Sequence, residues 1–339
     1  MITWRAAMER ALYGSEGFYR REHPEAHFRT SVHASPLYAR ALARLLEDVD
    51  AQLGRPGRLD VVDMGAGSGS LLAGIREAVP EETARRLRLV AVEFESRAGL
   101  EDVVWSAEPP EGIVGLVVAN EWLDNVPLDI VEYTPEGPRL MLVDAEGHER
   151  PGPEPEEADL AWLARWWPEQ RGRAEIGRSR DEAWARLVGR LEAGAAVAVD
   201  YSHDVETRRP TLAGYRHGMA VWPVPDGSCD VTAHVALDSC AVPGLETVLT
   251  TQREALRLLG VNGRRPAREL AFSDPRAYLA ELSRAGEAAE LTDPGGLGGF
   301  GWLMQAKGPV SLERYRTQGA AVPPGSGETA VFGTPEVTE

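Results

Sequence analysis

The sequence predicts an α/β protein: a doubly wound, mainly parallel sheet, preceded by a helical segment and interrupted by an insertion. Three observations carry that expectation. Short apolar runs alternate with amphipathic stretches between about residues 59 and 201, the pattern of strands joined by crossover helices. The first run, Leu59-Asp-Val-Val-Asp-Met64, leads into the alternating glycines Gly65, Gly67 and Gly69 and then an apolar helical pattern, which reads as strand, tight turn, helix. Later runs deliver the acids Glu93, then Glu121 and Asp124, at their C-terminal ends, where open α/β sheets collect ligands.

Residues 1–20 begin as an amphipathic helix, with Trp4, Met8, Ala11 and Leu12 at helical spacing, broken by Gly14 and Gly17. Residues 21–35 read as an irregular loop containing His23, His27 and His33. A second helix runs from Ser35 or Pro36 to about Ala51, with Ser35 as cap and Pro36 in its first turn. After the glycine loop, Leu71 to about Val79 is helix and Leu87 to Glu93 a second strand ending in an acid. Val103 to Trp105 is a short third strand, and Ile113 to Ala119 a fourth, followed by Asn120-Glu-Trp-Leu-Asp-Asn-Val-Pro127.

Residues 128–180 read as an insertion: a hairpin of Asp129–Tyr133 and Arg139–Val143, an exposed Pro- and Glu-rich loop, and a short helix with Trp162 and Trp166 at i, i+4. Asp181 to Ala193 is an amphipathic helix stopped by Gly194, and Ala195 to Tyr201 the fifth strand. Residues 203–240 are loop-rich. Leu245–Thr250 is strand, Thr251–Leu259 and Asp274–Arg284 are helices, and Phe300–Ala306 is a closing strand. Residues 308–339, rich in Pro, Gly, Ser and Thr, are expected to form a disordered tail. The core thus comprises 53–127 and 181–307, with 1–52 as N-terminal helices and loop.

A chain of 339 residues that is 43% hydrophobic and 26% charged can bury a large core. Its net charge of −17 argues against nucleic acid as partner, because backbone binding needs a basic footprint. Lys307 is the only lysine; the Arg-, Ala- and Gly-rich usage is that of a GC-rich bacterial coding sequence. Two cysteines, Cys229 and Cys240, are too few for a disulfide framework. Their spacing to His217 and His234 has no C-x-x-C or H-x-x-x-H pair, so no metal is expected. The N-terminus lacks an apolar signal-peptide centre, and no run approaches the ~20 apolar residues of a membrane span. A cytoplasmic location without membrane insertion is the expectation.

Glycines at 65, 67 and 69 allow positive φ and bring backbone N–H groups close to a ligand at the helix N-terminus. A dinucleotide fingerprint, G-x-G-x-x-G, would place glycine at position 70, which is Ser. Asp63, two residues before the first glycine, suits the cationic amino and sulfonium groups of S-adenosylmethionine. Asp63-x-Gly65-x-Gly67-x-Gly69 resembles the first motif of class I methyltransferases, against a nucleotide-binding or merely structural turn. Glu93 is placed to accept the ribose hydroxyls of an adenosine, and Ser106 to Glu108 to lie beside the adenine. If the segment after the fourth strand turns helical, Glu121 and Asp124 share a face, and as partly buried carboxylates they need partners.

From about Met8 to Gln305 the chain resembles the MidA family of class I methyltransferases, which includes the mitochondrial complex I assembly enzyme that methylates a protein arginine. Ala11-Leu-Tyr13 with Gly17-Phe-Tyr19 is similar to that family's opening ALY…GYY, and His27-Phe-Arg-Thr-Ser31 to its DF-x-T element, with His27 for the usual Asp. Asn120 to Pro127 resembles NEFFDALP, the most specific of the motifs. Asp200-Tyr-Ser202 resembles DYG, and Asp230 to Val235 resembles D-x-TAHV.

The resemblance implies a seven-stranded, Rossmann-like class I methyltransferase fold with a substrate-facing insertion, and S-adenosylmethionine as cofactor. It implies cofactor contacts at Phe28, Thr30, Gly65, Gly67, Glu93 and Asn120; the loop itself adds Asp63, Ala66 and Gly69. The expected reaction is in-line methyl transfer to a protein arginine or another nitrogen. Glu121 and Asp124 would grip a guanidinium bidentately and His234 or His203 would take the released proton. The expected partner is a protein substrate, such as an arginine of a respiratory or other complex, or a small molecule, with a homodimer as the assembly. Competing readings are a non-catalytic adenosylmethionine-binding assembly factor, a small-molecule methyltransferase and, disfavoured by Ser70 and Asp63, a nicotinamide-dependent oxidoreductase.

Overall fold

The computed structural model describes residues 1–21, 30–94, 100 and 102–316. The chain opens with β1 (Ile2–Thr3), α1 (Trp4–Tyr13), the short helices α2 (Phe18–Arg21) and α3 (Ser31–Ala34), and α4 (Pro36–Gln52). As the sequence predicts, the Ser35 side chain caps α4 by accepting the Leu37 N–H, with Pro36 in the first turn. Then come β2 (Leu59–Met64), α5 (Ser70–Ala78), α6 (Glu81–Ala84), β3 (Leu87–Val92), β4 (Val103–Ser106) and β5 (Ile113–Asn120). The insertion holds β6 (Asp129–Thr134), β7 (Gly137–Val143), β8 (Glu149–Pro151), α7 (Glu157–Trp166) and β9 (Gly172–Ile176). It is followed by α8 (Arg178–Gly189) and β10 (Leu191–Asp200). The last third carries β11 (Ala213–Arg216), β12 (Met219–Val221), β13 (Asp230–Thr232), α9 (Leu237–Cys240), β14 (Glu246–Thr251), α10 (Gln252–Leu258), α11 (Leu270–Ser273), α12 (Pro275–Leu291) and β15 (Gly301–Lys307).

Seven strands form the central sheet in the order β14-β15-β10-β5-β2-β3-β4. β10, β5, β2, β3 and β4 run parallel, and β15 pairs antiparallel with both β10 and β14. Strands covered on both faces read as continuous apolar runs, and all six residues of β2 are buried. Leu42, Leu45 and Leu46 of α4, Leu72 of α5, Leu256 of α10 and Leu291 of α12 pack on one face. Trp184, Leu187 and Val188 of α8, with Leu237 of α9, pack on the other. Each fully buried side chain of this kind contributes about 1.5–3 kcal/mol.

Three expectations are corrected. The helix before the fifth strand ends at Gly189, and β10 begins at Leu191 rather than Ala195. Gly194 is no helix stop. It lies inside β10 at φ 136°, where a Cβ would sit 1.9 Å from the Gly115 carbonyl oxygen, so only glycine lets β10 lie against β5 there. The stretch 203–240 contains the three-stranded sheet β12-β11-β13, whose strands of three or four residues are too short for a periodic signal. The tail does not start at 308: Val310, Leu312 and Tyr315 are buried, and the Tyr315 hydroxyl donates to Asp48. Residues 317–339 lie outside the described part.

The insertion is itself a sheet, β1-β7-β6-β9 with β8 on β7, so the first residues of the chain close it. Trp4, Met8 and Leu12 of α1 pack on Ile130, Met141 and Val231, tying this sheet to β13. Trp162 is core, packed with Leu163 and Ile176, and its indole N–H donates to Asp181 at 2.7 Å. Among the described residues no helix is long and apolar enough to cross a membrane.

Candidate active site

A cavity of about 480 Å³ opens at the C-terminal ends of β2, β3 and β5, with Tyr201 just after β10 also on its wall. Tyr13 and Tyr19 wall one side, and Thr211, Tyr215, Asp230 and Thr232 of the three-stranded sheet region wall another. Asp63, Gly65, Ala66, Gly67, Glu93, Asn120 and Thr30 all line it, as do Glu121, Asp124 and His234. Residues as far apart as Glu9 and His234, 225 positions in the sequence, are thus gathered around the ends of the parallel strands. Gly69 is outside the lining: it caps α5 at φ 78°, and a Cβ there would meet Leu100 and Trp105. Phe28, His23 and His27 lie outside the described residues.

The glycine loop is held by its neighbours. Gly65 has φ 66°, and a Cβ on it would come within 3.2 Å of Trp122 Cδ1. Gly67 N–H donates to Glu93 Oε2 at 2.9 Å, and Phe94 N–H donates to Oε1 at 2.9 Å. The Glu93 carboxylate is thereby fixed at the loop with lone pairs left over on both oxygens. Asp63 is only 4% exposed, and its carboxyl has no hydrogen bond or ion pair among the described residues. Burial first, and the Glu93 charge second, push its pKa up to about 8.

The polar group after β5 is organised differently from the expected helical turn. Leu123–Asn125 is a single 3-10 turn, and Glu121 has φ 51°, a left-handed conformation rare for a residue with a side chain. It is held by its N–H donating to the Val199 carbonyl at 2.8 Å and by its Oε1 accepting from Ser31 N–H (3.2 Å) and Asn120 Nδ2 (3.0 Å). Asn120 Oδ1 in turn accepts from the Tyr38 hydroxyl at 2.5 Å. Glu121 and Asp124 therefore share the cavity without sharing a helix face. Burial, then repulsion from Asp124, raises the Glu121 pKa to about 7. Asp124 is also raised by burial, against the lowering influence of Arg180.

Several residues of the site escaped the reading of the sequence. Arg180 of α8 is 1% exposed. Its guanidinium donates to the carbonyls of Asp124, Val126 (3.1 Å), Ala233 (2.9 Å) and His234 (2.8 Å), so one buried cation pins the 3-10 turn to the end of β13. Only its place on the buried face of an amphipathic helix signalled it. Asp230 is buried and pushed up to about 8, first by desolvation and then by Asp124, and it accepts from the Tyr19 hydroxyl at 3.1 Å. Tyr13 and Tyr19 also donate to Asn125, at 3.1 and 2.7 Å.

Of the two histidines, His234 lines the cavity and stacks on Tyr201 with centroids 5.7 Å apart. His203 lies behind it, outside the lining and edge-on to Trp167. Burial, with Arg209 and Arg180 nearby, takes the His234 pKa down to about 4, so this ring is neutral at pH 7. Cys229 and Cys240 are buried free thiols. Among the described residues the one group with metal-ligand spacing is Asp144, Glu146 and His148, in the turn between β7 and β8 and away from the cavity.

A family model described as "Putative S-adenosyl-L-methionine-dependent methyltransferase" matches residues 41–252. Two solved structures from Burkholderia thailandensis are similar to the chain. A COG1565 superfamily member bound to S-adenosylhomocysteine is 23% identical, with a TM-score of 0.77 over 94% of this chain and 91% of that one, a likeness of fold. An uncharacterized COG1565 superfamily protein in its native crystal form is 25% identical, with a TM-score of 0.76 over the same shares. No curated protein matches. Because the matched segment spans well over half of the 339 residues and contains the glycine loop, Glu93 and the acid cluster, the chain belongs to this methyltransferase family, whose cofactor is S-adenosylmethionine.

Proposed function

We propose that the protein transfers the methyl group of S-adenosylmethionine to a basic nitrogen held between Glu121 and Asp124, and that the acceptor is a protein arginine, as the resemblance to the MidA family implies. The observation that carries this is the charge of one cavity. Glu9, Asp63, Glu93, Glu121, Asp124 and Asp230 all line it, while among the described residues the lining has no lysine and one arginine, Arg186. Neither Glu121 nor Asp124 has an ion-pair partner among the described residues. Buried carboxyls arranged in this way lower their free energy most by meeting a cation.

The residues present fit the cofactor. Asp63, buried and without a hydrogen-bond partner among the described residues, suits a cationic amino or sulfonium group; Glu93 suits the ribose hydroxyls; the positive-φ glycines leave room for the ligand against the backbone. When bound, S-adenosylmethionine supplies an electrophilic methyl group on a sulfonium. The work of the chain is then to hold the acceptor. Two carboxylates localise the charge of a guanidinium and leave one nitrogen directed at the cofactor end of the cavity. Glu121 is better matched than the expected His234 or His203 for taking the proton that this nitrogen loses, since a base near pKa 7 works best near neutral pH and burial lowers both histidines. His234, neutral with a pKa of about 4, is the weaker base and serves as a hydrogen-bond acceptor that orients the substrate.

The test is incubation of bacterial cell extract with methyl-labelled S-adenosylmethionine and either wild type or Glu121→Gln, with adenosylhomocysteine affinity measured in parallel. Label on a protein, recovered as methylarginine and absent with the variant although its affinity is kept, is the expected result. Label in the small-molecule fraction overturns the protein acceptor, and near-normal transfer by the variant removes Glu121 from catalysis.

A further inference from the structure

Beneath the acceptor end of the cavity, at the last residue of β10, lies a second carboxyl that no expectation gave a role. Asp200 is fully buried, and its Oδ2 accepts the N–H groups of Leu123 (3.0 Å) and Asp124 (3.2 Å). Asp124 Oδ2 accepts from the Thr232 hydroxyl at 2.9 Å. The remaining oxygen of each, Asp124 Oδ1 and Asp200 Oδ1, is buried with no hydrogen-bond partner among the described residues. Two bare carboxylate oxygens are costly in an interior, here on residues already linked by the Asp124 N–H to Asp200 Oδ2 hydrogen bond. One proton held between them would meet both deficits, making one oxygen a donor and the other its acceptor.

We infer that Asp124 and Asp200 hold one proton between them and act as a single acid pair, with Asp200 the positioning residue that sets the charge Asp124 presents to the acceptor. The balance of charge supports this. Arg180 is a buried cation whose charge acts on both; four of its five N–H donors go to backbone carbonyls, and among the described residues none goes to either carboxylate. One shared proton leaves the pair with one negative charge against one positive charge; two ionised carboxylates would leave an uncompensated buried anion. The other titratable groups that face the pair make a second ionisation harder. From the turn after β5 comes Glu121, from the three-stranded sheet Asp230 and Tyr215, from α1, α2 and α4 Tyr13, Tyr19 and Tyr38, and beyond β10 Tyr201. Burial raises both carboxyls, Asp200 the more strongly because the charges of Asp124 and Glu121 add to it.

The pair is therefore ready to change charge when a cation arrives. An acceptor bearing positive charge makes the second ionisation favourable, so the shared proton leaves to solvent as the acceptor seats, and the site reaches full negative charge only when it is filled. This consequence rests on the acceptor reading above; the shared proton does not, and it is measured without any acceptor.

The experiment is carbon-13 NMR of the full chain labelled at aspartate carboxyl carbons, with Asp124→Asn and Asp200→Asn assigning the two resonances. In the wild type at pH 7 the pair should carry one proton, with one ionisation completed and the other only above neutral pH. In Asp200→Asn the amide N–H replaces the shared proton, so the fold is kept and Asp124 is fully ionised at pH 7, where a merely structural Asp200 would leave its titration unmoved. Two carboxylates both ionised at pH 7 in the wild type overturn the inference, and that measurement stands even if a variant does not fold. Loss of methyl transfer to arginine with the shared proton intact would count against the acceptor assignment alone.

Discussion

Replacing Asp63 by Asn should separate the charge of the cofactor loop from its shape. With a pKa of about 8, only about one Asp63 in ten is ionised in the ligand-free protein at pH 7, and exposing that anion costs about 1.4 kcal/mol. A charge-assisted contact with the cationic end of S-adenosylmethionine is worth up to about 3 kcal/mol, which shifts the ionisation by roughly a hundredfold on binding. Linkage then sets the sign: binding favours the deprotonated form, so affinity rises with pH until Asp63 is ionised in the free protein as well. Between pH 6 and pH 8 the wild-type affinity should rise about 25-fold through this group, with about 0.8 proton released per cofactor bound at pH 7. If Asn stands in for protonated Asp, Asp63→Asn should weaken binding about 50-fold at pH 8 but only about twofold at pH 6. Titration calorimetry at both pH values, in two buffers of different ionisation enthalpy, reads affinity and proton count together. An equal loss at both pH values, or the same proton release from variant and wild type, refutes a buried neutral carboxyl that ionises to meet the cofactor.

Two further outcomes follow from the same structure. The ligand-free protein should be more stable near pH 5 than near pH 8: Asp63 and Asp230 at about 8 and Glu121 at about 7 stay protonated when folded but ionise near pH 4 when unfolded, so the native state binds more protons across that window and stability falls as pH rises. A thermal melt series between pH 5 and 8 checks it, and a midpoint that climbs with pH would contradict the protonated cluster. Gly194→Ala should cost about 3 kcal/mol or more and lower the urea midpoint accordingly, since its Cβ would strike the Gly115 carbonyl at a φ that disfavours alanine; a change within about 0.5 kcal/mol would mean that β10 and β5 can separate there at little cost.

What the sequence could and could not disclose follows from the range of the signals. β2, β5 and β10 are buried on both faces, so they stand out as unbroken apolar runs, and Gly65 with Gly67 marks the turn because positive φ is a local demand. The four-residue β11 and three-residue β13 have no such local signature. They exist because β13 pairs with β11 and packs on α1, more than 200 residues away in the chain. Gly194 misled for a related reason: a glycine after an amphipathic run has the pattern of a helix stop, and only the approach of Gly115 from another strand gives it a different purpose.

The same distinction explains why the acid cluster was visible and its controller was not. Glu121 and Asp124 follow a buried strand in a polar string, which is unusual enough to be noticed one residue at a time. Arg180 looks like any arginine of a charged helix, yet it binds four carbonyls drawn from the turn after β5 and from the end of β13, and its field opposes the anions above it. A site that carries six carboxyls around one cavity, four of them buried, cannot be ionised all at once without partners. The structure answers with protonation and one buried guanidinium, both of which leave the negative charge to be completed by what enters. On the proposed function, selectivity for a cationic acceptor would then come from the free energy of ionising the site, added to the shape of the cavity.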